Sequence, residues 1–168
     1  WEKYRAVDDA TSNASPISPS VLCNALSENM PSDSIYIDET IVHRPQILRR
    51  INRDNPQSYL RPAGGLGQGL GTALGVKLAT PERPVVALMG DGAFLYNPIT
   101  QALGVARESN LPIMIVIFNN TSYAAMKRLH LSFYPEGDAA KTGIFHGVDI
   151  PGPDYQDLAT PFGGHGER

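Results

Sequence analysis

Cys23 is the only cysteine in this sequence, which excludes an intrachain disulfide and suits a reducing cytosol. No stretch of 18 apolar residues occurs, so no helical membrane span is expected. There is no basic excess either. The formal net charge is −3, leaving no positive footprint for nucleic acid. No secretory-signal pattern opens the chain, and no internal repeat runs through it. Together these absences predict a cytoplasmic protein that meets neither membrane nor nucleic acid. Cys23 itself, in SPSVLCNAL, reads as a small core residue on a helix face without a catalytic role.

With 168 residues, 42% of them hydrophobic and 18% charged, the chain can build one soluble domain with a sizeable core. Neither end reads as a natural terminus. WEKYRA resembles the middle of a helix, and FGGHGER stops where a turn should lead onward. The expected organisation is a lead-in or linker remnant over 1–17, then one domain over 18–168, as a fragment of a larger multidomain protein.

Along that domain, apolar runs alternate with helical patterns. A helix is predicted after Ser18, with Pro19 at its first position and Pro31 as its stop. DSIYIDE is a short strand ending in a carboxylate pair, and residues 43–52 read as a helix. A glycine-dense turn then enters a helix that ends before Pro81. PVVALMG is a near-continuous apolar strand, the kind expected where both faces of a sheet are covered. Asn97 reads as the N-cap of the next helix, with Pro98 at its first position. Pro112 opens a second buried strand, IMIVIF, followed by a helix in SYAAMKRLHL. Residues 133–153 read as loop and DYQDLATPFG as a last short helix. The fold class is therefore α/β, a mostly parallel sheet with helices on both faces.

In such sheets ligands sit beyond the carboxyl ends of the strands. Three strand ends carry the chemistry: Asp38-Glu39, Gly90-Asp91-Gly92 and Asn119-Asn120. A carboxylate at the edge of a core is costly unless a cation meets it, and flanking glycines allow a close backbone approach. Between Gly92 and Asn119 lie 26 residues, enough for a strand-helix-strand crossover that puts both ends on one edge. One carboxylate, one amide oxygen and nearby carbonyls make a hard-oxygen set suited to Mg²⁺, with phosphate oxygens and water completing the octahedron. Alone, Asp91 would read as a helix cap; its spacing to the asparagine pair favours the metal. Gly64, Gly65 and Gly67 serve tight helix packing, close cofactor approach, or both. Asn119 reads as structural.

GDG followed by NN at this spacing, with PAGGLGQGLGTALGVKLATPERPVVALMGDG and LPIMIVIFNNTSYAAMK around them, resembles the C-terminal cofactor-binding domain of thiamine diphosphate (ThDP) enzymes. The nearest branch is that of benzoylformate decarboxylase and similar 2-keto acid decarboxylases, with acetolactate synthases next. The resemblance implies the cofactors ThDP and Mg²⁺. It makes Asp91 and Asn120 side-chain ligands of the metal and the Ser122 carbonyl a third. Gly92, Ala93 and Tyr123 would offer backbone amides to the diphosphate. The Gly64 carbonyl would accept a hydrogen bond from the aminopyrimidine, and Leu66 would wedge beneath the bent cofactor. Gly65 and Gly90 are also among the cofactor-binding residues it implies, and Glu39 and Thr40 lie where the family also approaches the diphosphate. Two positions depart from the pattern. Ala93 stands where the decarboxylases often have Ser, and Ala124 where Gly is frequent, a strained choice if that backbone needs a positive φ.

The implied activity is non-oxidative cleavage of a 2-keto acid by a lyase, or carboligation as in acetolactate synthase. The alternative is a non-catalytic ThDP-binding module. The family's catalytic glutamate belongs to an N-terminal pyrimidine-binding domain, usually from a second subunit. A homo-oligomer is therefore implied, and this chain alone is expected to be inactive. His43, at a strand end, could face substrate. For His43, as for His130, His146 and His165, a solvated or structural role is the expectation.

Overall fold

The computed structural model describes residues 15–168. The WEKYRA helix reading, and nearly all of the expected lead-in, lie outside these residues. Helix α1 spans Pro19–Asn29, β1 Ile35–Glu39, α2 Arg44–Arg50 and β2 Tyr59–Leu60. Then follow α3 (Gly69–Ala79), β3 (Val85–Gly90), α4 (Asp91–Tyr96), α5 (Ile99–Glu108) and β4 (Met114–Phe118). Helices α6 (Ala124–Phe133) and α7 (Asp138–Thr142) come next, and two 3-10 turns at Tyr155–Leu158 and Thr160–Phe162 close the chain.

All four strands are parallel, in the order β2-β1-β3-β4. The α/β expectation holds, and the reason is visible in β1 and β3. Successive side chains of a strand point to opposite faces. Ile35, Ile37, Val85, Ala87 and Met89 therefore pack with Leu70, Ala73 and Leu74 of α3 on one face. Tyr36, Val86 and Leu88 pack with Cys23 and Leu26 of α1 and Ile47 of α2 on the other. Covering both faces is what makes VVALM apolar at every position. Each large side chain so buried contributes about 1.5–3 kcal/mol.

Register fixes the site's location. Glu39 lies opposite Met89, and Gly90 opposite Phe118. The carboxyl ends of β1, β3 and β4 therefore share one edge, as the three strand-end motifs predicted.

Several local expectations are corrected. IMIVIF is not a buried strand: β4 pairs only with β3, and Met114 is 45% exposed. Asn97 is not the N-cap of α5. Pro98 takes that position, and the Asn97 side chain turns inward to the neighbouring elements. Ser18 does sit at the N-cap of α1, but its hydroxyl makes no capping bond. The loop reading of 133–153 missed α7, and the last helix is two 3-10 turns. Neither the two-residue β2 nor the single-turn α4 was legible as a separate element, since neither is long enough to show a period.

Candidate functional site

The first turn of α4 sets the site. Asp91 is 3% exposed, and its Oδ1 accepts the Gly92 N–H at 2.9 Å. Its other oxygen, Oδ2, is buried and has no hydrogen-bond partner. Among the described residues Asp91 makes no ion pair. A buried carboxylate oxygen without a donor is costly enough to need an explanation. Among the described residues no lysine or arginine pairs with it, and a cation from outside the chain would meet that oxygen.

After β4, two Asx turns bring up the other expected site residues. Asn119 Oδ1 accepts the Thr121 N–H at 3.0 Å, and Asn120 Oδ1 accepts the Ser122 N–H at 3.1 Å. The left-handed residue of this turn is Thr121, at φ 54°, and Ala124 does not have a positive φ. Ala124 instead begins α6, so the strain feared at that departure is absent. An antiparallel bridge then joins Ser122 to Asp149. It uses the Tyr123 N–H to Val148 O (2.8 Å) and the Ile150 N–H to Thr121 O (2.9 Å), leaving the Ser122 carbonyl outside the pairing.

Asp91, Asn120 and Ser122 line one cleft of about 60 Å³, together with Leu66, Ala93 and His43. The set is one carboxylate, one amide oxygen and one main-chain carbonyl. No group of three His, Cys, Asp or Glu that could hold a metal occurs among the described residues. A metal here would therefore be hard, oxygen-bound and largely completed by other ligands, which fits Mg²⁺ on a diphosphate. A larger cavity of about 520 Å³ lies along the Ile51–Tyr59 loop and contains none of these side chains.

Other expected site residues divide. Leu66 lines the cleft and is 40% exposed, so it is not core filler. Gly64 takes φ 110° and Gly67 φ 94°, and a side chain on Gly67 would strike the Tyr96 carbonyl. Gly92 lies under the Tyr123 ring: a Cβ there would stand 2.5 Å from the ring. Tyr123 therefore contributes its ring to the cleft wall, because its amide is already committed to Val148. Burial, then Tyr96, pushes its phenol above the ordinary range.

Glu39 and Thr40 spend their side chains inside the fold. Thr40 Oγ1 donates to Asp38 Oδ1 at 2.6 Å. Both Glu39 oxygens accept hydrogen bonds from the loop before α3 and from Asn97. His43 stacks on Phe118 with ring centroids 5.1 Å apart, and burial holds its imidazole below the usual range against the pull of Asp91. His130 packs edge-on to Phe145, and His165 is an exposed partner of Glu167; neither lines the cleft, and nor does His146.

The sequence reading missed Asn97 and Tyr59. Tyr59 O–H donates to Asp38 Oδ2 at 2.6 Å, beside the Arg44 Nε at 3.3 Å. Contacts 21 and 58 residues apart leave no local pattern to read.

Residues 43–168 match the family described as thiamine pyrophosphate enzyme, C-terminal TPP binding domain. The chain belongs to that family. Among these ThDP enzymes it is 33% identical to the benzoylformate decarboxylase of Pseudomonas aeruginosa, over 88% of this chain and 26% of that protein. It is 28% identical to the Escherichia coli acetolactate synthase isozyme 2 large subunit, over the same shares. The structure of a ThDP-dependent 4-hydroxybenzoylformate decarboxylase from Rhodococcus jostii RHA1 superimposes with a TM-score of 0.76 at 34% identity, again over 88% of this chain and 26% of that one. The chain thus spans about a quarter of the relatives it matches. No described helix is long and apolar enough to cross a membrane.

Proposed function

We propose that this chain holds the diphosphate end of ThDP through Mg²⁺ and serves a 2-keto acid decarboxylase similar to benzoylformate decarboxylase. The observation that carries this reading is the buried, unpartnered Oδ2 of Asp91. In this reading Asp91, Asn120 and the Ser122 carbonyl bind the metal. Of the amides in the first turn of α4, that of Ala93 faces the negative diphosphate, whereas the Gly92 amide already donates to Asp91 Oδ1. The Gly64 carbonyl accepts from the aminopyrimidine, and Leu66 supports the bend that brings the two rings of the cofactor together. The His43 ring and the Tyr123 ring wall the cleft and exclude water. When bound, the cofactor supplies the electron sink for breaking the bond beside a keto carbon.

The proton on the pyrimidine side is assigned to a glutamate of another domain, contributed by a second subunit. Glu39 cannot take that role, because its oxygens are committed to four donors. A carboligase resembling acetolactate synthase is the second reading, favoured by the 28% identity over the same 88% of the chain.

Asp91→Ala, made in the full polypeptide that carries this chain, tests the metal assignment. Partners one shell out from a metal are commonly worth about 10–100-fold in affinity. Removal of a charged ligand should therefore cost about 100-fold or more in Mg²⁺-dependent ThDP binding. Unchanged affinity by calorimetry would remove Asp91 from the site.

A further inference from the structure

Four successive amides, Gly67 to Leu70, enter helix α3 without a carbonyl of their own to bind. The first bond of the helix is Thr72 N–H to Gln68 O. A helix start normally meets this need with a neighbouring side chain, but the Gln68 side chain makes no capping bond. The acceptors come from across the sheet edge instead. Glu39 Oε1 takes the Gly67 and Gln68 amides, each at 2.8 Å. Its Oε2 takes the Gly69 amide at 3.1 Å and the Asn97 Nδ2 at 2.7 Å. Asn97 Oδ1 takes the Leu70 amide at 2.9 Å, and its Nδ2 also donates to Ala93 O at 2.9 Å.

Glu39 is 8% exposed and makes no ion pair among the described residues. Its charge is met by amides and by the positive end of α3. Asn97 in turn ties this knot to α4, the helix that begins with Asp91. The loop anchored in this way is otherwise open to solvent, since Gly64, Gly65 and Leu66 are all exposed. The first bond of the clamp falls on Gly67, the residue immediately after Leu66.

We infer that Glu39 and Asn97 form a positioning pair, an internal anion and its amide partner seated on the start of α3, which holds the Gly64–Gly67 loop and aims Leu66 and the Gly64 carbonyl into the cleft. Because an anion already fills the α3 start, a bound diphosphate is left to the Asp91 side of the cleft. The clamp stands on the geometry alone; its consequence for the cofactor rests on the function proposed above.

Hydrogen exchange on the full polypeptide, without cofactor, tests the clamp directly. Glu39→Gln turns one acceptor into a donor facing donors. Exchange at Gly67 to Leu70 should rise about tenfold or more, while the β3 amides change less than about threefold. Combining Glu39→Gln with Asn97→Asp reverses donor and acceptor within the pair but leaves the Gly69 amide against a donor and the Ala93 carbonyl against an acceptor. It should therefore recover protection at Leu70 and not at Gly69; no recovery at Leu70 would overturn the pairing. In the cofactor-loaded protein, Glu39→Gln should lower kcat about tenfold and move the cofactor Kd less than about threefold. Unchanged exchange, or equal acceleration in β3, would overturn the positioning role. If Glu39→Gln does not fold, Asn97→Ala replaces it: faster exchange at Leu70 with β3 unaffected supports the pair, and no change at Leu70 overturns it. Failure of the unaltered protein to bind ThDP would overturn the proposed function and leave the exchange result standing.

Discussion

Glu39 and Asp91 close the carboxyl ends of neighbouring parallel strands, and both are almost fully buried. Yet their surroundings differ in kind. Glu39 accepts from three backbone amides and one side-chain amide, so its charge is satisfied within the chain. Asp91 accepts one amide and keeps an oxygen without a partner. A buried carboxylate with all its acceptors used stabilises the fold, whereas one left short stores a demand for an external cation. Two acidic residues at one sheet edge thus meet opposite surroundings, and in the function proposed above only Asp91 is given to binding.

Stability without metal is the sharpest way to break this contrast. Glu39→Ala leaves four donors unmet and should destabilise the protein by about 3–5 kcal/mol, read from urea unfolding. Asp91→Ala removes an uncompensated charge and should cost less than about 1 kcal/mol, or stabilise, in the same metal-free titration. Equal losses would show that the two carboxylates are equivalent. Asn120→Ala should weaken Mg²⁺-dependent ThDP affinity by about tenfold, less than Asp91→Ala, because an amide oxygen is a weaker ligand than a carboxylate. Calorimetry at fixed Mg²⁺ checks the order.

Leu66→Ala should lower kcat by several-fold, on the order of tenfold, with a smaller change in cofactor Kd, since the side chain holds a geometry rather than a contact. Its 40% exposure predicts little change in folding stability. Equal losses in kcat and affinity would make Leu66 a plain binding contact.

The smallest expected effect is a pH dependence from His43. Burial lowers its imidazole below the ordinary 6.5, with Arg128 assisting and Asp91 opposing. The folded state therefore binds that proton more weakly than the unfolded one. Stability from the neutral ring is present above about pH 6.5 and is lost as pH falls through the lower folded value. His43→Phe keeps a ring on Phe118 and should flatten the decline in urea midpoint between about pH 7 and pH 5. An unchanged slope would assign the acid sensitivity to other groups.

The fold was legible where periodicity is strong. β1, β3, α1 and α3 were read close to their observed bounds because burial on both faces, proline starts and glycine turns leave local marks. β4 was misread because an apolar run looks the same on an edge strand as in a sheet centre. The meeting of Asp91 with Asn120 was legible for a related reason: Gly90-Asp91-Gly92 and Asn119-Asn120 each close a strand, and a parallel crossover of that length brings such ends together. The condition for strain at Ala124 is not met, because the turn places its left-handed residue at Thr121.

By itself the sequence determined the parallel α/β layering, the three strand-end motifs and the oxygen chemistry at Asp91 and Asn120. Hydrophobic period, turn residues and donor type are all written within a few neighbouring positions. Only the tertiary structure decided which carboxylate is free. Glu39 is satisfied by amides 28 to 30 residues away and by Asn97 at 58, and Tyr123 gives its amide to Val148 rather than to a ligand. Hydrogen bonds between distant segments depend on where the sheet register brings them, so no local reading of the chain could assign those lone pairs and protons.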